Sequence, residues 1–360
     1  MKAFHCDICG GLAFFENVLC LKCNNALGFL PDVIDLSALE FSENGNWRAL
    51  TPVAQNRFYK QCANGRQYQI CNWLVPVEDP NSFCTACRLN VVIPDLTIPN
   101  NRELWQQIEI AKRRMIYTLL RLGISTDGAP DQNRRPLRFR LMSDSLGGPH
   151  VMTGHDEGVI TINVAEADPA ERERRRLNLR EPFRTLLGHM RHEIAHYYWS
   201  ELVEQNQHLG RFRELFGDER QDYATALQRY YQQGATATWQ DHYVSAYATA
   251  HPWEDWAETS AHYFHIVDTV ETAASFGLAL KPRHPNAQSM TADPNSIMNI
   301  ESSFDGILNN WFPLTYALNE LNRGMGLPDL YPFVLSNEAI GKLRFVHEIL
   351  RHPKENLSSH

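Results

Sequence analysis

Two sets of residues in this chain have types and spacings that could do chemistry. The first is His192-Glu193-Ile194-Ala195-His196, set in an apolar stretch of helical character. Residues four apart project from one face of a helix, so His192 and His196 can share one metal ion. Glu193 sits one residue round, on the flank of that pair, where its carboxylate can reach a water on the metal rather than the metal itself. Two imidazoles suit zinc. Zinc lowers the pKa of such a water, and Glu193 can take its proton and return it to a leaving amine. The expected chemistry is hydrolysis of a carbonyl compound by zinc-activated water with Glu193 as general base. The flanking Met190, Ile194, Ala195, Tyr197 and Tyr198 are uncharged, as a buried metal site needs. Arg191 is the exception and can point away. The plain alternative is a core helix with two incidental histidines.

A third ligand must come from elsewhere. The longer pattern HExxHxxGxxH requires glycine at position 199 and histidine at 202, where this chain has Trp199 and Leu202. The remaining option is a glutamate from a later helix. Glu254 and Glu258 lie four apart on a segment that otherwise reads as buried (Trp253, Trp256, Ala257, Ala261, Phe264). Two carboxylates on an apolar helix need a reason, because burying them unpaired is costly. Glu254 is assigned to the metal. Glu258 is assigned to a supporting role, accepting a hydrogen bond from a liganding histidine, with the reverse assignment left open. His189 could also face the metal, but packing explains it better. Tyr247, seven residues before Glu254, could donate to a developing oxyanion. Tyr243 is its rival, and a core tyrosine is the plain reading of either. His262 and His265 read as packed residues.

The second set is the eight cysteines, all before residue 88. Cys6-x2-Cys9 and Cys20-x2-Cys23 have the spacing of a zinc ribbon, two tight turns supplying four sulfurs to one tetrahedral ion. Gly10-Gly11 and Asn24-Asn25 follow the two pairs and tolerate the backbone such turns demand. Cys62, Cys71, Cys84 and Cys87 make a second set of four, in which only Cys84-x2-Cys87 is a regular pair. Packing as small hydrophobes is the alternative for this set. Four sulfurs leave no open position, so both sites would be structural and would contribute folding free energy. The expected metal content is three Zn2+, one catalytic and two structural.

Around these residues the pattern divides the 360-residue chain at about residue 96. Residues 1–96, with interspersed aromatics and frequent turn signals, read as a zinc-ribbon region of short strands. Residues 97–360 read as a mainly helical, zincin-like catalytic domain with a short β-sheet. The fold class is α+β. Leu104, Ile108, Ala111, Met115, Leu119 and Leu122 recur at helical spacing over 101–122. Residues 125–136 read as a loop. The segments 137–141 and 159–164 alternate as strands. Asp168-Pro169 marks a helix start, and the charge run 171–176 reads as a solvated face. Helices are expected at about 181–203, 219–233, 253–276, 302–323 and 337–351, with a loop over 281–300.

Taken together, the N-terminal ribbon, Cys62-Ala63-Asn64, Cys71-Asn72-Trp73, Cys84-Thr85-Ala86-Cys87-Arg88-Leu89-Asn90, Gly188-His189-Met190-Arg191-His192-Glu193 and Glu254-Asp255-Trp256-Ala257-Glu258-Thr259 resemble a bacterial family of zinc-binding metallopeptidases with an N-terminal zinc-ribbon domain. The resemblance runs from Cys6 to about residue 280. It implies a zincin of the gluzincin type. The interval from Tyr247 to Glu254 is also similar to that in zinc proteases of the lethal-factor type, which implies Glu254 rather than Glu258 as ligand.

Composition narrows the partners. A net charge of −8 disfavours nucleic acid. No stretch reaches the roughly 20 apolar residues of a membrane span. The first residues lack an apolar signal, and thiolate ligands need a reducing compartment, so a cytoplasmic location is expected. The leading expectation is a metallopeptidase, endo- or exo-acting, whose strand 159–164 lines the cleft and pairs with a polypeptide substrate. The alternative is a non-catalytic zinc scaffold binding protein or nucleic acid through its ribbons. A zinc hydrolase of a small-molecule amide ranks third.

Overall fold

The computed structural model describes residues 1–126, 135–144, 151–179, 184–204, 206–297 and 303–351. Most of the expected loop 125–136, the expected helix start at 181–183 and residues 298–302 lie outside them. The chain is α+β and folds as two compact units. One comprises Lys2–Arg121 with Leu137–Arg172; the other comprises Met1, Leu122–Pro136 and Glu173–His360.

The first unit begins with a two-stranded ribbon, β1 (Phe4–His5) and β2 (Leu12–Ala13). A five-stranded antiparallel sheet follows in simple sequential order. Its strands are β3 (Leu27–Leu30), β4 (Asp35–Phe41), β5 (Trp47–Ala49), β6 (Phe58–Gln61) and β7 (Leu74–Pro76). One face packs Leu30, Leu39, Ala49, Ala54, Tyr59 and Leu74. A short helix, α1 (Ala63–Tyr68), fills the long interval between Cys62 and Cys71. Gly65 makes this possible: a Cβ there would lie 2.3 Å from the Cys71 carbonyl oxygen.

After β8 (Asn90–Val92) comes α2 (Asn101–Leu122), buried on nearly every side. Its tyrosine Tyr117 joins Phe15 and Phe29 in an aromatic cluster, with ring centroids 5.5 and 6.1 Å away. Its polar residues are buried as well. Lys112 Nζ lies 2.8 Å from Glu109 Oε1, both side chains fully shielded. Asn90 Nδ2 and Trp105 Nε1 also donate to Glu109 Oε1.

The second sheet runs in the order β10 (Gly154–Asp156), β11 (Val159–Asn163), β9 (Arg138–Met142), β8. The β9–β11 and β8–β9 pairs are parallel, and β10–β11 is an antiparallel hairpin. This corrects the expectation that 159–164 offers a free edge: β11 is hydrogen-bonded on both sides, and the hairpin puts β10 at the edge.

α3 (Pro169–Leu179) starts where Asp168 Oδ1 accepts from the amides of Ala170 and Glu171. The second unit then contains α4 (Leu186–Trp199), α5 (Leu209–Phe216), α6 (Tyr223–Gln233), α7 (Pro252–Ser275), α8 (Phe304–Gly324) and α9 (Asn337–Arg351). α4 continues through one π turn, Ser200–Glu204. The expected helix over 219–233 is shorter at its start, because Asp222 caps it through Thr225 N. The amphipathic α5 precedes it and was not expected. α7 forms the core of this unit, with α4 against one side and α9 against another; Trp256, Tyr263 and Phe264 are fully buried. None of the described helices is long and apolar enough to cross a membrane.

Breaking the buried pair in α2 strands a charge, at a cost of about 3–5 kcal/mol. Lys112→Met is therefore expected to lower the urea midpoint with little change in slope, while Glu109→Met/Lys112→Met recovers part of the loss. Equilibrium unfolding of both variants reads this out, and a single variant as stable as wild type would contradict it.

Candidate metal centres

Three groups of donor atoms converge among the described residues: Cys6, Cys9, Cys20 and Cys23; Cys62, Cys71, Cys84 and Cys87; and His192, His196 and Glu254. Within each group the donor atoms lie within 4.8 Å of one another.

The first group sits on two matching turns. Gly10 N donates to Cys6 O and Cys6 N to Gly11 O; Asn24 N donates to Cys20 O and Cys20 N to Asn25 O. Gly10 and Asn24 occupy the same position in their turns, with φ of 65° and 59°. Each turn aims two sulfurs inward. Cys6–Cys23 and Cys9–Cys20 sulfurs are 3.7 and 3.6 Å apart. A tetrahedral ion with bonds of about 2.3 Å requires edges of about 3.8 Å, so the donor set fits zinc.

The second group is buried throughout. Cys71 and Cys84 sulfurs are 3.7 Å apart, and Cys84 N and Cys87 N point at Cys62 Sγ and Cys84 Sγ. All eight cysteines are free. The nearby Arg113 guanidinium, also buried, donates to Ile70 O at 2.8 Å and lies close enough to feel the charge of Cys71, Cys84 and Cys87.

The third group is made by α4 and α7. His192 Nε2 is 3.2 Å from His196 Nε2 and 3.0 Å from Glu254 Oε2; His196 Nε2 is 3.7 Å from Glu254 Oε1. Glu258 stands one turn along α7 and accepts from His192 Nδ1 at 2.7 Å, and its other oxygen accepts from Ser245 Oγ at 2.6 Å. An ionised carboxylate only accepts, so His192 carries a proton on Nδ1, and Nε2 is the nitrogen it turns toward Glu254 and His196. Glu254 Oε2 is buried and receives no well-directed hydrogen bond despite the short distance to His192. Electron-rich atoms gathered this closely repel one another unless a cation stands among them. The residues therefore fit a metal ion.

The electrostatics agree. Burial pushes the Glu254 carboxyl up, but His196 and His192 outweigh it and hold it well below the usual range. Burial pushes His192 down, but Glu254 and Glu258 outweigh it and hold its pKa well above the ordinary value. The cluster is built to hold positive charge.

Glu193 stays outside the donor set. It is buried, and its Oε1 lies 3.1 Å from His189 Nε2. Burial raises the Glu193 carboxyl, but His189 and the two site histidines outweigh it, so it remains ionised. Tyr247 is beside the site, its ring centroid 6.0 Å from that of His192 and 5.5 Å from that of Tyr230. Burial and the Glu254 charge push its phenol well up, which keeps it a donor. Tyr243 is engaged elsewhere, under the Lys342 ammonium at 4.1 Å. Arg191 does not reach solvent: it is buried against Asp268 and His265. His262 is packed, bonded through Nδ1 to Tyr331.

Three residues of the site have no signal in the sequence. Ser245 supports Glu258, Tyr223 donates to Glu254 Oε1 at 2.6 Å, and His251 caps α7 by accepting from Trp253 N. The contacts of Ser245 and Tyr223 depend on how separate elements meet, and the His251 cap, though local, uses a residue type outside the usual cap set.

The model of a family described as "Putative zinc-binding metallo-peptidase" matches residues 101–349, and a zinc-ribbon domain model matches residues 3–98. The chain belongs to that metallopeptidase family. Uncharacterised proteins of Mycobacterium tuberculosis (strains H37Rv and CDC 1551) and Mycobacterium bovis are relatives, each 42% identical over 97% of this chain and 95% of theirs. No solved structure matches. Family membership and the three donor sets together support zinc binding.

If Glu258 sets the proton on His192, its loss weakens metal binding without touching a ligand. Glu258→Ala is expected to lower zinc affinity at the His/His/Glu centre by about 10–100-fold, with zinc at the cysteine sets unchanged. Titration against a competing chelator measures this, and equal affinity in both proteins would remove Glu258 from the site.

Proposed function

We propose that this protein is a zinc-dependent peptidase of the HExxH, gluzincin-like kind. It would hold one catalytic zinc at His192, His196 and Glu254, and two structural zincs at the four-cysteine sets. The observation that carries this reading is the composition of the third centre. Among the described residues three protein donors converge there, against four sulfurs at each of the others, and an ionised Glu193 stands beside them without joining. Catalytic zinc sites keep a position open in this way, and structural ones do not.

Zinc bound there would supply a Lewis acid and an activated water. The chain's own residues would do the rest. Glu193 would accept a proton at its carboxylate and pass it to the leaving nitrogen. His189, 3.1 Å from Glu193, would hold that carboxylate in place. Tyr247, kept protonated, would donate a hydrogen bond to the developing oxyanion. Glu258 and Ser245 would fix the His192 ring. The proposed substrate is a polypeptide, which family membership supports. The free thiols of both cysteine sets support a reducing compartment such as the cytoplasm.

The test is zinc content and proteolysis on the same preparations. Wild type is expected to hold three zincs, and His192→Ala/His196→Ala two. Glu193→Gln is expected to keep three while cleavage of quenched-fluorescent casein falls by about 10²–10⁴-fold, the usual contribution of a general base. Undiminished cleavage by Glu193→Gln would exclude this mechanism. A wild type holding two zincs would favour a non-catalytic scaffold.

A further inference from the structure

Glu254 has two oxygens in two different situations. Oε1 accepts a hydrogen bond from the Tyr223 hydroxyl at 2.6 Å. Oε2 faces His192 Nε2 at 3.0 Å and is otherwise unpartnered. The side chain is 1% exposed, so water cannot exchange these tasks.

Tyr223 is itself held in place from both sides. It opens α6, whose cap Asp222 accepts from Thr225 N at 2.8 Å. His251 caps α7, and its Nδ1 accepts from Trp253 N, so its proton lies on Nε2. That Nε2 donates to Gln221 O at 3.2 Å. The residue two before Tyr223 is thus tied to the residue three before Glu254. The Tyr223 ring packs against His251 and Trp253, with centroids 5.2 and 5.8 Å away. Burial and the Glu254 charge raise the phenol's pKa, which keeps it a donor.

We propose that Tyr223 is a positioning residue of the His192/His196/Glu254 centre: its hydroxyl occupies Glu254 Oε1 and leaves Oε2 as the one oxygen presented to the metal. The inference rests on the zinc-hydrolase reading and deepens it. A carboxylate free to use both oxygens would fill the position a catalytic zinc keeps open. Supporting partners of this kind typically contribute 10–100-fold in metal affinity.

The experiment compares full-length wild type and Tyr223→Phe. Zinc affinity of the third centre is measured by chelator competition, with zinc at the cysteine sets as internal reference. Tm is measured with the third centre loaded and with it stripped. The expected result is a Kd raised about 10–100-fold, a smaller zinc-dependent rise in Tm, and a stripped Tm equal to that of wild type. An unchanged Kd overturns the proposal. So does a stripped Tm that falls by as much as the loaded one, or a variant that does not fold, because the tyrosine is then only a packing residue. A wild type with two zincs overturns the metal-centre reading and this inference with it. Three zincs in wild type and an unchanged Kd in the variant overturn this inference alone.

Discussion

The His/Glu centre depends on the register in which α7 lies on α4. α4 presents His192 and His196 one turn apart, and α7 presents Glu254 and Glu258 one turn apart. The four meet only at one setting, in which Glu254 faces both histidines and Glu258 reaches the far side of the His192 ring. Apolar packing holds that setting. Trp256, between the two glutamates, is fully buried and donates from Nε1 to Ala195 O, between the two histidines, at 2.8 Å. Phe212, Phe216 and Phe345 pack around the Trp256 ring. A helix that slipped by one residue would lose this contact and bring the wrong side chains to the metal. Core packing of this kind tolerates few alternatives, and here it sets polar geometry.

The same packing explains how α7 carries three carboxylates within five residues, Glu254 and Asp255 buried and Glu258 half-buried. Each has its own partner. Asp255 reaches Lys342 of α9 at 2.6 Å, though burial still pushes its carboxyl up to about 7. Glu258 has His192 and Ser245, and Glu254 has Tyr223. Burying a charge is costly unless it is paired. Counted this way, each oxygen of Glu254 and Glu258 has a donor except Glu254 Oε2, and that oxygen lies 3.0 Å from His192 Nε2.

Much of this centre was legible in the sequence because it follows helical period. The i, i+4 pairs at 192/196 and 254/258 are local facts, and two acids in an apolar stretch announce a buried role. The knuckle turns were legible for the same reason, since Gly10 and Asn24 mark a backbone few other residues adopt. What could not be read depends on elements meeting in space. Tyr223 lies 31 residues before Glu254, and no spacing connects them. The position of β11 inside its sheet follows from parallel pairing with β9 across a long connection, which alternation alone does not reveal. α5 was missed because its pattern is one short amphipathic stretch between polar turns.

The contrast between the cysteine sets and the His/Glu centre bears on the choice between enzyme and scaffold. A scaffold needs metal sites that are saturated by protein donors. Both cysteine sets meet that need, and the second does so inside a core that carries its own counter-charge in Arg113. The His/Glu centre does not meet it, for among the described residues it offers three donors. Beside it the chain also keeps Glu193 buried and ionised, supported by His189. Desolvating that carboxylate costs free energy and adds no ligand. A site whose purpose is to hold two helices together would be more stable with an apolar residue at position 193. The expense is intelligible if a proton must be taken up next to the metal, which is the proposed role.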